Sequence, residues 1–419
     1  MMRRFALLLA FAAAPAFADD SDAAALQLAD QVQAEPVQAS DWSAFVEIAG
    51  GRSTLRNGTQ GGGHADNQRL SLDVALDTRL ARAWRLVFAD RLDMNWHNEP
   101  VRQDGINTLK EAYLGWQARD DLLFDLGRIN VRNGVATGYN PTDYFRAGAV
   151  RSVVSADPGS LKRNRQGSVM LRAQTLWDSG SLSAAYSPKL SDHGSDAALN
   201  PNVGATNNRD RWLFTFSQKL SKNVSPQWLL YKEERQPVQA GFNLALLAND
   251  ATVVFMEWSG GRSRSLFSQA TAGADDTAFR NRASTGLTYT TPGKLSLTLE
   301  YEYNGAGLRD SQWNVLPRTS LPAYGLYRAA LQNAQDMPTR NAVFFYASWQ
   351  DAMINHLDLS GMERYNVADG SRLSWLEARY HWDRWDAALQ WQMNSGGVTT
   401  EFGASPQRRT VQALLRYFF

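Results

Sequence analysis

The sequence predicts an all-β chain, a transmembrane antiparallel β-barrel of about 18 strands, or 16 if one hairpin is a folded loop. Three observations lead there. The N-terminus has the layout of an export signal, and no later stretch offers 18 consecutive apolar residues. Period-two alternation recurs along nearly the whole remaining chain, in segments long enough for a tilted strand to cross a bilayer. The last strand ends on an aromatic residue with nothing beyond it.

Residues 1–18 read MMRRFALLLAFAAAPAFA: two arginines, an apolar run from Phe5 to Ala14, then Ala16-Phe17-Ala18. This is a cleavable signal peptide rather than a membrane span, because the apolar run is too short. The whole chain carries 43 Lys and Arg against 42 Asp and Glu; losing Arg3 and Arg4 leaves 41 against 42. That balance excludes a generally basic nucleic-acid binder, so any charged partner must be read from local clusters. The absence of cysteine excludes disulfide scaffolds and thiolate chemistry. Residues 19–40, rich in Ala, Gln and Asp, read as a periplasmic tail with a brief helix around Ala23 to Gln33; residues 41–419 form the barrel.

The strands are read from their two faces. In residues 211–219, Trp212, Phe214 and Phe216 oppose Arg211, Thr215, Ser217 and Lys219. In residues 294–303, Leu295, Leu297, Leu299, Tyr301 and Tyr303 oppose Lys294, Ser296, Thr298, Glu300 and Glu302. One apolar and one charged face per segment implies lipid on one side and water on the other. Strands are expected at 42–50, 68–79, 84–94, 107–119, 121–130, 167–177, 180–188, 209–219 and 225–233, and then at 239–248, 251–260, 281–291, 294–305, 340–350, 353–361, 371–382, 384–394 and 409–419.

The connections give an independent check, since bacterial barrels alternate short periplasmic turns with longer outer loops. Asp178-Ser179, Asn249-Asp250 and Thr291-Pro292-Gly293 are short; residues 51–67, 95–106, 131–166, 189–208, 261–280, 306–339 and 395–408 are long. Trp84, Trp116, Trp177, Trp228, Trp258, Trp349, Trp382 and Trp385 fall near strand ends, where headgroup belts are expected. The triple glycine Gly61 to Gly63 reads as outer loop, because no Gly-Lys-Ser or Gly-Lys-Thr follows to cradle a phosphate. In the final segment Val411, Ala413, Leu415, Tyr417 and Phe419 share one face. Tyr417 and Phe419 resemble the terminal signal read by the barrel-assembly machinery.

A barrel this wide can hold an aqueous lumen, and the long loop 131–166 is the candidate constriction. It carries Arg132, Arg146, Arg151, Lys162, Arg163 and Arg165 against Asp143 and Asp157, six positive charges against two negative, a net of +4. Such a cluster suits anionic solutes, carboxylates in particular. Strand parity nominates Glu111, Tyr113, Arg119, Asp125, Arg172, Glu300, Glu377 and Arg379 as lumen residues. Asn140-Pro141-Thr142-Asp143 is a turn former, with Tyr139, Tyr144 and Phe145 placed either to anchor it or to stack on a sugar face.

The blocks LKEAYLGW from Leu109, DLGR from Asp125, GYNPTDYF from Gly138 and GSVMLR from Gly167 resemble alginate-export-like outer-membrane barrels of proteobacteria, over about residues 107–190. The resemblance implies an 18-stranded barrel, monomeric, with an arginine-rich region selecting an anionic, uronic-acid-containing polysaccharide.

Catalytic patterns are missing: His64, His97, His193, His356 and His381 are scattered without metal-ligand spacing, and no Gly-x-Ser-x-Gly occurs. The chain therefore reads as a non-enzymatic porin or exporter for polar or anionic solutes in the outer membrane of a Gram-negative bacterium. It needs no cofactor or metal, and its partners would be outer-membrane lipids, lipopolysaccharide and the assembly machinery, with no nucleic acid. The alternative is a structural or assembly barrel that does not conduct.

Overall fold

The computed structural model describes residues 41–56, 63–97 and 104–419. The expected signal peptide, the tail 19–40 and most of the glycine-rich loop fall outside these residues. Eighteen strands form one sheet: β1 (Trp42–Leu55), β2 (Gly63–Ala81), β3 (Trp84–His97), β4 (Gly105–Arg119), β5 (Leu122–Ile129), β6 (Ser168–Trp177), β7 (Gly180–Ser187), β8 (Arg211–Gln218) and β9 (Val224–Glu233) make the first half. The second half is β10 (Gln239–Asn249), β11 (Thr252–Ser263), β12 (Ala278–Thr290), β13 (Leu295–Asn304), β14 (Asn341–Trp349), β15 (Leu357–Asn366), β16 (Arg372–His381), β17 (Trp385–Ser395) and β18 (Gln407–Phe418). Each strand pairs antiparallel with its neighbour in sequence, and β1 pairs with β18 from Phe45 opposite Phe418 to Leu55 opposite Gln407. Closure pairs the first strand with the last, so neither is a free edge, the condition for a sheet to span lipid.

Alternation decides which face meets lipid. On β1 Ile48 is 59% exposed while its neighbour Glu47 is 2% exposed, and on β13 Leu299 is 50% exposed beside Glu300 at 1%. Apolar side chains therefore point outward and charged ones inward, the inverse of a water-soluble domain. Rings stack along the outer surface near the short turns, as in Trp84 on Trp116 on Phe124 and Trp177 on Phe216 on Trp228. Outward aromatic rings near strand ends are what a headgroup belt calls for.

The inner wall across the closure is an ion-pair ladder. Glu47 accepts from Arg69 at 2.8 Å and Arg91 at 2.9 Å with one oxygen, and from Arg416 of β18 at 2.8 Å with the other. Arg91 also pairs with Asp93 at 2.9 Å, and Lys110 with Asp73 at 2.8 Å. On the other flank Arg379 pairs with Glu377 at 2.9 Å and stands 3.6 Å from Asp386. Five cations (Arg69, Arg91, Lys110, Arg379, Arg416) thus alternate with five carboxylates (Glu47, Asp73, Asp93, Glu377, Asp386) over seven adjacent strands. Neutralisation in place is what makes so many buried charges tolerable.

Strand lengths are unequal. β1 to β4 have 14, 19, 14 and 15 residues, whereas β5 to β8 have 8, 10, 8 and 8. Beyond the short strands, the upper part of β4 meets the loop 188–210 and the C-terminal end of the loop 130–167. The exposed edge of β4 is stitched to them: Asn107 N–H donates to Ala198 O at 2.9 Å, and Gly167 N–H to Lys110 O at 2.9 Å.

Strand ends depart from the sequence expectation by several residues, with β1 reaching 55 rather than 50 and β2 starting at 63 rather than 68, so the expected loop 51–67 is mostly strand; two further differences have a physical reason. β15 runs 357–366 rather than 353–361, because the preceding turn takes positive φ at Asp351, Met353 and His356, which an extended strand cannot hold. The long loops also contain helices: α1 (Pro158–Arg163), α2 (Val203–Thr206), α3 (Leu266–Ala270), α4 (Asp310–Thr319) and α5 (Leu321–Ala334). α4 and α5 share a small core of Trp313, Leu316, Tyr324, Tyr327 and Leu331, against which α3 packs.

Replacing Glu47 with Ala leaves three guanidinium groups facing one another across the closure. The variant is expected to lose about 3–5 kcal/mol, read as a lower urea midpoint in vesicle-refolding titrations, while Ile48→Val, on the lipid face, shifts the midpoint little.

Candidate functional site: an inward-folded loop

The loop 130–167 leaves the top of β5 and crosses the interior instead of rising outward. Its tip is held by carboxylates of the opposite wall. Glu257 of β11 accepts from the backbone N–H of Val135 at 3.0 Å, Ala136 at 3.3 Å and Thr142 at 2.7 Å, and from the Asn140 amide at 3.1 Å. Glu300 of β13 accepts from the N–H of Thr137 at 2.6 Å and Gly138 at 2.9 Å. A carboxylate accepting several N–H bonds is well compensated in a buried place. The close approach requires glycine: at Gly134, where φ is +106°, a Cβ would lie 2.6 Å from Glu257 Oε2, and at Gly138 one would overlap Glu302 and Phe344.

Apolar contacts repeat the docking. Val135 and Ala136 pack on Ala245, Val253 and Phe255, and Ala156 packs against Phe344, Tyr346 and Trp375. Phe145 sits in the cluster of Met170, Leu213, Leu229 and Tyr231, while Tyr144 stacks on Tyr231 at 4.4 Å. The NPTD segment is thus a turn anchored by its aromatic neighbours. Downstream, Asp157 caps α1 by accepting from Ser160 N–H at 2.7 Å, and the Tyr346 hydroxyl donates to its other oxygen at 3.1 Å.

The six cations of the loop divide into two groups. Arg165 is buried in a forked pair with Asp143 at 2.6 and 3.1 Å, and also donates to Asn130 and to Val131 O. Arg146 lies over the Tyr139 ring, donates to Asn140 O and pairs with Asp336 at 3.3 Å. Arg151 donates to the carbonyls of Asn107, Ser195, Ala197 and Asn200, binding this loop to the next. Those three act as structural ties. Arg132 is exposed and, among the described residues, has no ion-pair partner. Lys162 and Arg163 occupy the last turn of α1: Lys162 donates to Ala136 O at 3.0 Å, and Arg163, more than a third exposed, stands 3.9 Å from Asp157.

Among the nominated lumen residues, Asp125 and Arg172 pair at 2.9 Å, Glu377 and Arg379 join the ladder, and Glu300 holds the loop tip. Glu111 accepts from Asn130 N–H, and Tyr113 is buried in the cluster around Phe145. A register shift at Gln117/Arg119 puts Arg119 at the last position of β4, opposite Leu122, where it is exposed and 3.3 Å from Asp121 rather than facing the lumen. Sequence reading did not single out Glu257, Glu47, Arg91 or Asp336. Only an Arg-x-Asp spacing at Arg91 and an isolated inward Glu on β11 could have pointed to them.

Asp336, just after α5, joins the outer helices to the loop. It accepts from the Tyr139 hydroxyl at 2.8 Å and from Asn304 at 3.0 Å, and pairs with Arg146. Burial opposes its charge, but Arg146 and Arg282 outweigh that and hold the carboxyl below the usual range. Burial, reinforced by Asp336, keeps the Tyr139 hydroxyl protonated well above its ordinary range. Gln335 donates to Arg146 O and Gly148 N–H to Asn333 O, so helices and loop form one packed unit. Among the described residues no group of His, Asp and Glu is placed to hold a metal ion; His381 is bonded to Asp386 at 2.8 Å and Asp358 at 3.2 Å.

A closed 18-stranded barrel with a polar interior and an inward loop defines the fold of outer-membrane porins. The chain is similar in structure to OccAB4 of Acinetobacter baumannii (TM-score 0.54, 9% identity, covering 92% of this chain and 100% of that one). It is comparably similar to OccAB1 of the same organism (TM-score 0.55, 10% identity, 93% and 99% covered) and to OpdQ of Pseudomonas aeruginosa (0.54, 9%, 91% and 99%). These likenesses establish the porin fold and do not support the alginate-export-like resemblance specifically. No protein-family model and no curated protein sequence matches the chain.

Replacing Asp336 with Ala removes the acceptor shared by Tyr139 and Arg146. Planar-bilayer recordings of this variant should show frequent transitions between conductance levels, whereas the unaltered protein should hold one steady level.

Proposed function

We propose that the protein is an outer-membrane diffusion channel for small polar and anionic solutes, with the loop 130–167 as its constriction. One observation carries this reading: the loop is fastened inside the barrel by Glu257 and Glu300, and its remaining accessible charge is Arg132, Lys162 and Arg163. The closure ladder is neutral by pairing, so these three cations are the accessible positive charge at the constriction, set against the buried Glu257 and Glu300 at the loop tip and Asp157 beside Arg163. A carboxylate solute passing them exchanges hydration for guanidinium and ammonium contacts without being held by a permanent counter-charge. Uronic-acid oligosaccharides, suggested by the sequence resemblance, are one such solute class.

The test is reversal potential under a salt gradient. Changing Arg132, Lys162 and Arg163 together to Gln should move the channel from anion preference towards neutrality with conductance retained. Changing Arg165 alone should instead lower folded yield. An unchanged reversal potential in the triple variant sinks the selectivity assignment, and a correctly folded barrel that never conducts favours a structural role.

A further inference from the structure

The periplasmic turn between β16 and β17 reads Trp382-Asp383-Arg384-Trp385 and is closed by a 2.7 Å bond from Trp382 N–H to Trp385 O. Two aromatic pairs straddle it: Tyr380 lies 4.6 Å from Trp382, and Trp385 lies 4.7 Å from Tyr417. Between them is an outward-facing groove of about 740 Å³, with Leu415 on its hydrocarbon side and His356 at its rim. Asp383 and Arg384 both line it and are exposed, and neither has an ion-pair partner among the described residues.

A second outward groove of about 760 Å³, on β8 to β11, makes a useful contrast. Its walls are Phe214, Phe216, Trp228, Phe242 and Met256, with no charged side chain, so it offers an acyl chain nothing beyond hydrocarbon contact. The β16–β17 groove adds an adjacent acid and base at headgroup depth. The faces of Trp382 and Trp385 favour an ammonium, which Asp383 can accept from, while Arg384 presents a fork suited to a phosphate.

We infer that this groove binds the headgroup of a zwitterionic glycerophospholipid carrying a primary ammonium, phosphatidylethanolamine, in the periplasmic leaflet. The inference rests on the outer-membrane reading of the chain. His381 also lines the groove but is already engaged by Asp386 at 2.8 Å and Asp358 at 3.2 Å, so the charge left for a ligand is Asp383 and Arg384 side by side between aromatic rings, which matches that headgroup better than an anionic one.

Native mass spectrometry of the refolded full-length barrel, titrated with phosphatidylethanolamine or phosphatidylglycerol, tests it. The unaltered protein should retain phosphatidylethanolamine about tenfold better, the size of one charge-assisted hydrogen bond. The double variant Asp383→Asn with Arg384→Gln should lose that preference, while Trp84→Phe, in another part of the belt, keeps it. Equal retention of the two lipids, a preference for phosphatidylglycerol, or an unaltered preference in the double variant overturns the inference. Asp383→Asn alone serves if the double variant folds poorly. Bilayer conductance measured on the same preparations separates the two readings: a conducting barrel without lipid preference defeats only the lipid site, and a barrel that fails to insert defeats the outer-membrane reading itself.

Discussion

Two wall carboxylates, Glu257 and Glu300, and the backbone N–H groups of residues 135–142 hold the site together. A barrel of this width leaves its interior to water unless something is built across it. A loop doing so must satisfy its own backbone donors away from strands, and wall acids are the partners that can take several at once. Glycine at 134 and 138 lets the chain come close enough for this. Everything further along the loop, from the Arg165–Asp143 fork to the capped α1, is positioned from that anchored tip.

Charge is handled differently on the two sides of the lumen. Across the barrel closure each cation has a carboxylate within reach, so the wall gives rigidity and little net field. On the loop, three cations are consumed in fastening it and three keep access to water, although Lys162 also bonds Ala136 O and Arg163 stands beside Asp157. Net positive charge in a sequence segment is therefore an upper bound on the field it provides. What counts is the part left after structural pairing.

Most of the fold was legible because a membrane strand must alternate, and alternation is visible residue by residue. The outward Trp212-x-Phe214-x-Phe216 face and the inward Glu300 and Glu302 are where parity put them. The ladder was not legible, since its central bond joins Glu47 to Arg416, 369 positions apart. Nor does local charge show that Arg165 is spent on Asp143 while Arg132 is not. The helices of the long outer loop left a signal in Ser320-Leu321-Pro322, a cap followed by proline, and in the spacing of Tyr324, Tyr327 and Leu331. A strand-based reading passed over both.

The central claim is that residues 130–167 lie inside the barrel against β10 and β11, and the cysteine-free sequence allows a direct measurement. Cysteines introduced at Ala136 and Val253, which pack in one cluster, should be joined by a short bifunctional thiol reagent in the folded barrel, with conductance close to that of the unlinked protein. A paired control at Val153, an exposed position of the same loop, and Val253 should not be joined. Failure of the first pair to link, or equal linking of both, would contradict an inward, fastened loop.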